Sequence, residues 1–218
     1  MNYEIIETLY RSRLTLLEHL ENDGYDTTPY SKFSPKEIME MVKSGPILGA
    51  PPALMMELQR KNPTEGLYSK CLVVYTIGKI KQKLSAFTLK LIDTEETLFD
   101  PTTTEVIIIT LEPIAANFHA MSLLCHTAYK TKVRYFQAAA IINNPLKHIL
   151  VPKHERVPSD QEEALLTGIY AKKSQLPLIR YHEDPIARMI GLMPGEIVRI
   201  TRPSITAGEC VGYRVCLP

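Results

Sequence analysis

The hydrophobic positions in the first sixty residues predict three helices separated by turns. In residues 3–21 the apolar side chains fall mostly on one helical stripe, and Gly24 follows as a C-cap. The segment Ser34-Pro35-Lys36-Glu37 has the order of a capping box, with a hydroxyl at the N-cap and Glu three residues later. Residues 53–58, which follow two prolines, have the pattern of a third short helix.

Compact β-branched runs follow, and they predict strands. Residues 72–75 and 106–109 are uninterrupted apolar runs of the kind that is buried on both faces of a sheet. Between them apolar residues recur at helical spacing, so strand, helix and strand predict a βαβ unit with a parallel pair. A helix over residues 114–130 and a strand over residues 133–136 extend this α/β pattern.

A turn cluster at Asn143-Asn144-Pro145 predicts a domain boundary. At roughly 100–200 residues per domain, the 218 residues hold one large domain or two small ones. We therefore expect a first domain over residues 1–144 and a second over residues 145–218.

The second domain has a different pattern. Residues 159–173 predict a helix with Ser159 at its N-cap, and Asp184 is placed to cap another helix. Residues 196–202 and 210–215 alternate apolar and polar positions, which is typical of a hairpin-like pair of strands. The second domain is expected to be a small α+β module.

Composition and charge narrow the classes of function. The chain has 25 basic and 24 acidic residues, a balance that argues against a dense basic surface for nucleic acid, so any contact with DNA or RNA would be local. No apolar run approaches the roughly 18 residues of a membrane span, and the first residues lack the basic start of a secretory signal. Four scattered cysteines without a C-x-x-C pair predict reduced thiols. We expect an intracellular protein with no membrane contact.

Candidate chemistry is sparse. The usual nucleotide, metalloprotease and hydrolase signatures are absent from the sequence. His148 and His154 have no carboxylate or cysteine at the spacing of metal ligands beside them, so a structural or surface role is favoured. His182 and Asp184 could form a small acid/base group, but the favoured interpretation is that Asp184 caps the next helix and His182 lies beside it. No catalytic residue, metal, cofactor or small-molecule ligand is therefore predicted.

One enzymatic alternative stays open. Carboxylates near the predicted parallel strands, Asp93, Asp100 and Glu105, suit a metal-dependent nuclease. Such enzymes commonly place Asp or Glu two positions before Lys, and this sequence contains no such triplet. Two basic runs could contact phosphates, although most such runs are solvated faces; they contain Lys79, Lys81 and Lys83, and Lys130, Lys132 and Arg134.

The last seventy residues carry several linked motifs in order. They are residues 148–154 (HILVPKH), 174–177 (SQLP), 184–188 (DPIAR), 195–200 (GEIVRI), 202–208 (RPSITAG) and Tyr213-Arg214. Together they closely resemble the fifth shared subunit of eukaryotic nuclear RNA polymerases, which has a counterpart in the archaeal enzyme. Residues 1–144 resemble the added domain of the eukaryotic members in their opening helix and turn, and by pattern alone between about residues 45 and 140.

The resemblance implies a structural role in transcription. In that family the C-terminal module attaches to the largest polymerase subunit, and the N-terminal domain is part of a jaw around downstream DNA, with a nuclease-like α/β fold that has lost catalysis. The resemblance implies that Pro113 lies near DNA in a proline-containing loop, although Glu112 in that loop is acidic and would repel phosphate. Lys130 and Lys132, from the second basic run, are the other two residues expected near DNA. The implied interface residues are His148, Pro152, Lys153, His154, Leu176, Pro177, Asp184, Pro185, Arg188, Arg202, Pro203, Ser204, Thr206, Gly208, Tyr213 and Arg214.

Three hypotheses from different classes follow. The first is a non-catalytic, DNA-proximal subunit of a multisubunit DNA-directed RNA polymerase, whose partners are the largest subunit, other polymerase subunits and downstream duplex DNA. The second is a stand-alone interaction protein that reuses the assembly module, and the third is the nuclease. The expected location is the nucleus for a cellular protein, or the host cytoplasm and the virion for a protein of a large DNA virus.

Overall fold

A computed structural model describes residues 3–43, 51–62, 68–92, 100 and 103–218. The chain divides into two compact units, Met1–Asn144 and Pro145–Pro218. No helix among the described residues has the length and apolar character needed to cross a membrane.

The first unit is an α/β layer structure around a four-stranded sheet. Its elements are α1 (Tyr3–Asn22), α2 (Pro35–Lys43), β1 (Met56–Gln59), β2 (Lys70–Thr76), α3 (Leu84–Ile92), β3 (Thr104–Thr110), α4 (Ala116–Tyr129) and β4 (Val133–Gln137). The strand order is β1-β2-β3-β4, with β1 antiparallel to β2 and the other two pairs parallel. The predicted βαβ unit with its parallel pair is confirmed.

β3, one of the two inner strands of this sheet, is buried along its whole length, which explains its uninterrupted apolar run. Residues of α3 and α4 cover one face of the sheet, where Phe118 packs edge-on against Tyr135 with ring centroids 5.3 Å apart. The Tyr135 hydroxyl lies 2.7 Å from the Thr88 hydroxyl, so this buried polar group is satisfied within the core.

Two local predictions in the first unit are confirmed and one is wrong. The Ser34 backbone N–H donates to the Glu37 carboxylate over 2.6 Å, as a capping box requires, and Gly24 ends α1 with a φ of +91°. The predicted helix over residues 53–58 is instead a single 3-10 turn followed by β1. Met56 and Leu58 are buried while Glu57 is exposed, so the period is two, and pairing with β2 selects the strand.

The second unit is a small α+β module, as predicted. It contains β5 (Lys153–Arg156), α5 (Ser159–Gly168), β6 (Leu178–Arg180), α6 (Pro185–Met189), β7 (Ile197–Ser204) and β8 (Gly208–Leu217). The strand order is β5-β7-β8-β6, in which only the β6–β8 pair is parallel. A small core cluster is formed by Leu176, Ile197 and Val215.

The helices of the second unit differ in how well the sequence predicted them. Asp184 caps α6 as expected, because its Oδ1 accepts the N–H groups of Ile186 and Ala187 over 2.8 and 2.9 Å. α5 is shorter than predicted and ends at Gly168, before Tyr170 with its positive φ of 53°. Ser159 is not its N-cap, since Pro158 occupies that position without a side-chain cap.

Candidate functional site

A loop after β2 presents three lysines to solvent. Lys79, Lys81 and Lys83 are all exposed, and none forms an ion pair within the described part of the chain. We call residues 78–83 the lysine loop. Its backbone is fixed by Glu112, whose carboxylate accepts the N–H groups of Ile80 over 2.7 Å and Lys81 over 3.0 Å.

Glu112 therefore has a structural role that its sequence position does not reveal. Its own N–H donates to the Thr110 hydroxyl over 3.1 Å, and the nearby Asn117 amide donates to the Lys81 carbonyl over 3.2 Å. The exposed Pro113 follows directly. Because β2 and β3 are parallel, the lysine loop and Pro113 both lie at the carboxyl end of the sheet.

The three residues predicted to lie near DNA do not form one cluster. Lys130 is exposed at the C-cap of α4, a helix of 14 residues that spans about 21 Å. Lys130 consequently lies near the amino ends of the parallel strands, the end opposite to Pro113.

Lys132 corrects the sequence-based expectation. Its side chain is 6% exposed, and its ammonium lies 3.2 Å from Glu105 and over the ring of Tyr68. A buried, paired ammonium cannot reach a phosphate at the surface.

Lys132 belongs to a buried ionic cluster centred on Glu105 of β3. The Arg134 guanidinium lies 3.0 Å from the Glu105 carboxylate, and the Tyr25 hydroxyl donates to it over 2.9 Å. Burial by itself disfavours the charged carboxylate, but Arg134 and Lys132 outweigh that effect and lower the pKa of Glu105 to about 2. The cluster ties β3, β4 and the turn after α1 together.

The geometry of the described carboxylates does not support a metal-dependent nuclease site. Glu105 is 3% exposed and its oxygens face cations and a hydroxyl, while Asp100 is exposed and Asp93 lies outside the described residues. Among the residues that the structure describes, no group of three His, Cys, Asp or Glu side chains is placed to hold a metal ion.

The second unit exposes large apolar side chains. Ile149, Leu150, Tyr170 and Ile205 are between 82% and 106% exposed, far more than the exposed apolar residues described in the first unit except Tyr3. Sequence reasoning did not select them as site residues. The signal available was a run of three apolar residues, 149–151, in a segment with neither helical nor strand periodicity.

Many of the predicted interface residues do lie at the surface. Exposed members of the set are His148, Lys153, Pro177, Pro185, Arg202, Pro203, Thr206 and Gly208, and half-buried members are Pro152, His154, Ser204, Tyr213 and Arg214. The two histidines act locally: His148 Nδ1 accepts the Leu150 N–H over 3.2 Å, and His154 Nδ1 lies 2.7 Å from the Pro152 carbonyl.

Three predicted interface residues have roles inside the unit instead. Leu176 is 8% exposed in the core cluster, and Asp184 uses its carboxylate in the α6 cap. Burial lowers the pKa of Arg188, with Asp184 opposing that shift. Asp184 and Arg188 are nevertheless half-buried and not fully enclosed, so direct contact with a partner stays a prediction at these positions.

The strands β7 and β8 form a hairpin with a tight tip. The Ser204 hydroxyl accepts the Ala207 N–H over 3.3 Å, and Gly208 has a φ of +73°. An added Cβ at Gly208 would meet no atom within 4 Å, so the backbone conformation is the reason for glycine there. Both Cys210 on β8 and the tip residue Ile205 are exposed.

Comparisons with known proteins give matches to the second unit and to the whole chain. The family model described as "RNA polymerase Rpb5, C-terminal domain" matches residues 143–216. The chain is 29% identical over 216 residues, 98% of its length, to "DNA-directed RNA polymerases I, II, and III subunit rpabc1" of Dictyostelium discoideum, the whole of which is covered. It is 53% identical over 68 residues to "DNA-directed RNA polymerase subunit Rpo5" of Archaeoglobus fulgidus, covering 31% of this chain and 88% of the archaeal protein. The Caenorhabditis elegans subunit RPABC1 is 40% identical over 88 residues, 40% of this chain and 41% of that protein.

Proposed function

The chain belongs to the family of RNA polymerase subunits that includes archaeal Rpo5 and eukaryotic RPABC1, and we propose that it is a non-catalytic structural subunit of a multisubunit DNA-directed RNA polymerase. The observation that carries this proposal is the match of 53% identity to 88% of an archaeal subunit. Its 68 residues are close to the length of the second unit, which argues that this unit does the work of the whole archaeal subunit.

We propose that the second unit attaches the chain to the largest polymerase subunit. The exposed side chains Ile149, Leu150, Tyr170 and Ile205 support this assignment, since apolar patches of this kind mark protein contacts. Exposed interface candidates such as His148 and Arg202 lie in the same sequence segments. Other polymerase subunits are the remaining partners, and the polymerase sets the location inside the cell, in the nucleus or, for a viral enzyme, in the host cytoplasm and the virion.

We propose that the first unit is part of a jaw at the downstream duplex. The lysine loop and Pro113 are the candidate surface, because three ammonium groups without an ion pair to any described residue lie at the same end of the sheet as an exposed proline. The unit as a whole has 15 basic and 16 acidic residues, so it would hold DNA through a few phosphates and only weakly by itself. Lys130 remains a separate candidate at the other end.

We also propose that the chain has no catalytic activity of its own. Glu105 is sealed by Lys132, Arg134 and Tyr25, so its carboxylate is not available to bind a metal ion. Purified chain incubated with duplex DNA and Mg²⁺ or Mn²⁺ is expected to leave the DNA intact. Metal-dependent cleavage that copurifies with the chain and is lost in a Glu105 variant would establish the nuclease alternative.

Copurification tests the polymerase assignment. A tagged chain co-expressed with the largest polymerase subunit from the same genome is expected to retain that subunit, and residues 145–218 alone are expected to do the same. Replacing Ile149 and Leu150 by Asp should weaken retention, whereas Leu124→Asp, at an apolar position on α4 that is 46% exposed, should not. Failure of the intact, folded chain to retain the largest subunit would favour the stand-alone interaction protein.

A further inference from the structure

The β7–β8 hairpin extends beyond the strands that flank it. β7 and β8 pair from Ile197–Val215 to Ser204–Gly208, but β6 pairs only with Val215–Leu217 of β8, and β5 only with Val198–Thr201 of β7. Residues 202–204 and 208–210 therefore form a two-stranded ribbon, and residues 211–213 of β8 continue from it with β7 on one side and no described strand on the other. We call residues 202–204 and 208–213 the ribbon arm. Every residue of β8 from 208 to 212 is exposed. Isolated two-stranded ribbons are marginally stable in water, so an arm of this kind gains from further pairing.

The outer edge of β8 carries unpaired backbone groups. The Val215 N–H donates to the Pro177 carbonyl, which fixes the side of the strand that faces β6. Residues two apart direct their backbone groups to the same side, so Val211 and Tyr213 also point away from β7. The residue whose N–H would continue the ladder to the Tyr213 carbonyl is Pro177, which has none. No strand in the described part of the chain pairs with this edge.

The two edges of the ribbon arm differ in how they are protected. The Ile197 carbonyl accepts the Val157 N–H, so odd-numbered residues of β7 face outward toward β5, and Pro203 removes the donor on that edge. On the β8 edge the Glu209 N–H already donates to the Ala207 carbonyl over 2.8 Å, but residues 210–213 contain no charged residue or proline of the kind that natural proteins use to block pairing. One edge is closed to a partner strand and the other is open.

We propose that the β8 edge of the ribbon arm receives an extended segment of a partner polymerase subunit as an added β-strand. This inference rests on the proposed function, because it names how that partner is held. The segment should be apolar and uncharged at its centre: one face would contact Val211 and Tyr213, and a bulky side chain on the other would cover Gly212, where an added Cβ meets no atom within 4 Å.

Backbone hydrogen exchange tests the proposal in the full chain and in its complex with the largest subunit. In the free chain the amides of Val211 and Tyr213 should exchange rapidly, while that of Gly212, which faces β7, should be protected. Complex formation should slow amide exchange at Val211 and Tyr213 by a factor of at least about ten, in proportion to the population of the paired state. If the complex forms and these two amides exchange as in the free chain, strand addition is wrong although the proposed function stands.

A backbone variant gives a second readout. Val211→Pro removes an outward N–H that donates to no described residue, and Val211→Thr keeps the N–H and the β-branched shape. The proline variant should bind the largest subunit at least about tenfold more weakly than the threonine variant, the cost of a lost ladder bond and a clash at the edge. Equal binding by the two folded variants would overturn the proposal; if the proline variant is unfolded by circular dichroism, hydrogen exchange in the unaltered chain decides. If the unaltered chain binds no polymerase subunit, the proposed function fails and this inference fails with it.

Discussion

Replacing Glu105 by glutamine is expected to destabilise the first unit strongly, because it removes the carboxylate that two buried cations share. Arg134 and Lys132 lie 3.0 and 3.2 Å from it, and all three side chains are at most 6% exposed. Breaking a buried ion pair by removing one partner typically costs about 3–5 kcal/mol, since the remaining charge is not resolvated.

The acid sensitivity of the cluster provides a second estimate of the same magnitude. The pKa of Glu105 is lowered from its ordinary 4.5 to about 2, so between these values the unfolded chain binds more protons than the folded chain. A lowering of this size corresponds to roughly 3 kcal/mol of stability, fully present above pH 4.5 and lost progressively as the pH falls to about 2. The glutamine variant should lack this component of the acid dependence.

Thermal unfolding followed by circular dichroism or calorimetry measures the effect. In a unit of this size a loss of 3–5 kcal/mol lowers the midpoint by roughly 10–17 °C. Glu40→Gln is the matched control, because its 2.8 Å pair with Lys43 is more than half exposed, and such pairs contribute at most about 1 kcal/mol. A Glu105→Gln midpoint within about 2 °C of the control would refute the argument that the cluster stabilises the unit.

Two further predictions concern the proposed surfaces. Reversing Lys79, Lys81 and Lys83 to Glu should shorten the lifetime of transcribing complexes while leaving nucleotide addition at low salt unchanged, and should make that lifetime less sensitive to salt, because three phosphate contacts account for roughly a 40-fold loss of affinity for a fourfold rise in salt. Lys130→Glu is the comparison, and an equal or larger effect there would move the DNA surface to the other end of the sheet. Gly208→Val should weaken retention of the largest subunit, because a β-branched residue disfavours the φ of +73°, whereas Gly208→Asn should not; normal retention of a folded valine variant would remove the hairpin tip from the interface.

The sequence was most informative where burial on both faces of the sheet left one interpretation of a hydrophobic run. β2 and β3 are such runs, and the helix between them follows from its own period, so the parallel pair could be predicted. β1 could not, because Met56–Gln59 is only four residues long and is rich in good helix formers. Its conformation is decided by pairing with β2, which is a tertiary effect.

The candidate sites show the same limit. Lys132 stands in an alternating basic run that resembles a solvated strand, and its burial depends on Glu105, 27 positions earlier in the chain. Linked motifs located the second unit, but they did not separate residues that hold its fold, such as Leu176, from residues that are exposed, such as Ile149. Exposure depends on the packed chain, so an apolar residue at the surface has no local signature.

The arrangement of thiols makes the chain ready for site-specific chemistry without any substitution. Of its four cysteines, all within the described residues, Cys210 alone is exposed, and it lies on the ribbon arm. Burial raises the pKa of the thiols of Cys71, Cys125 and Cys216, which keeps them protonated and shielded from reagents. A maleimide fluorophore added at neutral pH would therefore attach at one position, beside the edge where we expect a partner strand, and its emission would report docking in real time. The same selectivity would allow a photocrosslinker at Cys210 to capture the neighbouring polypeptide for identification by mass spectrometry.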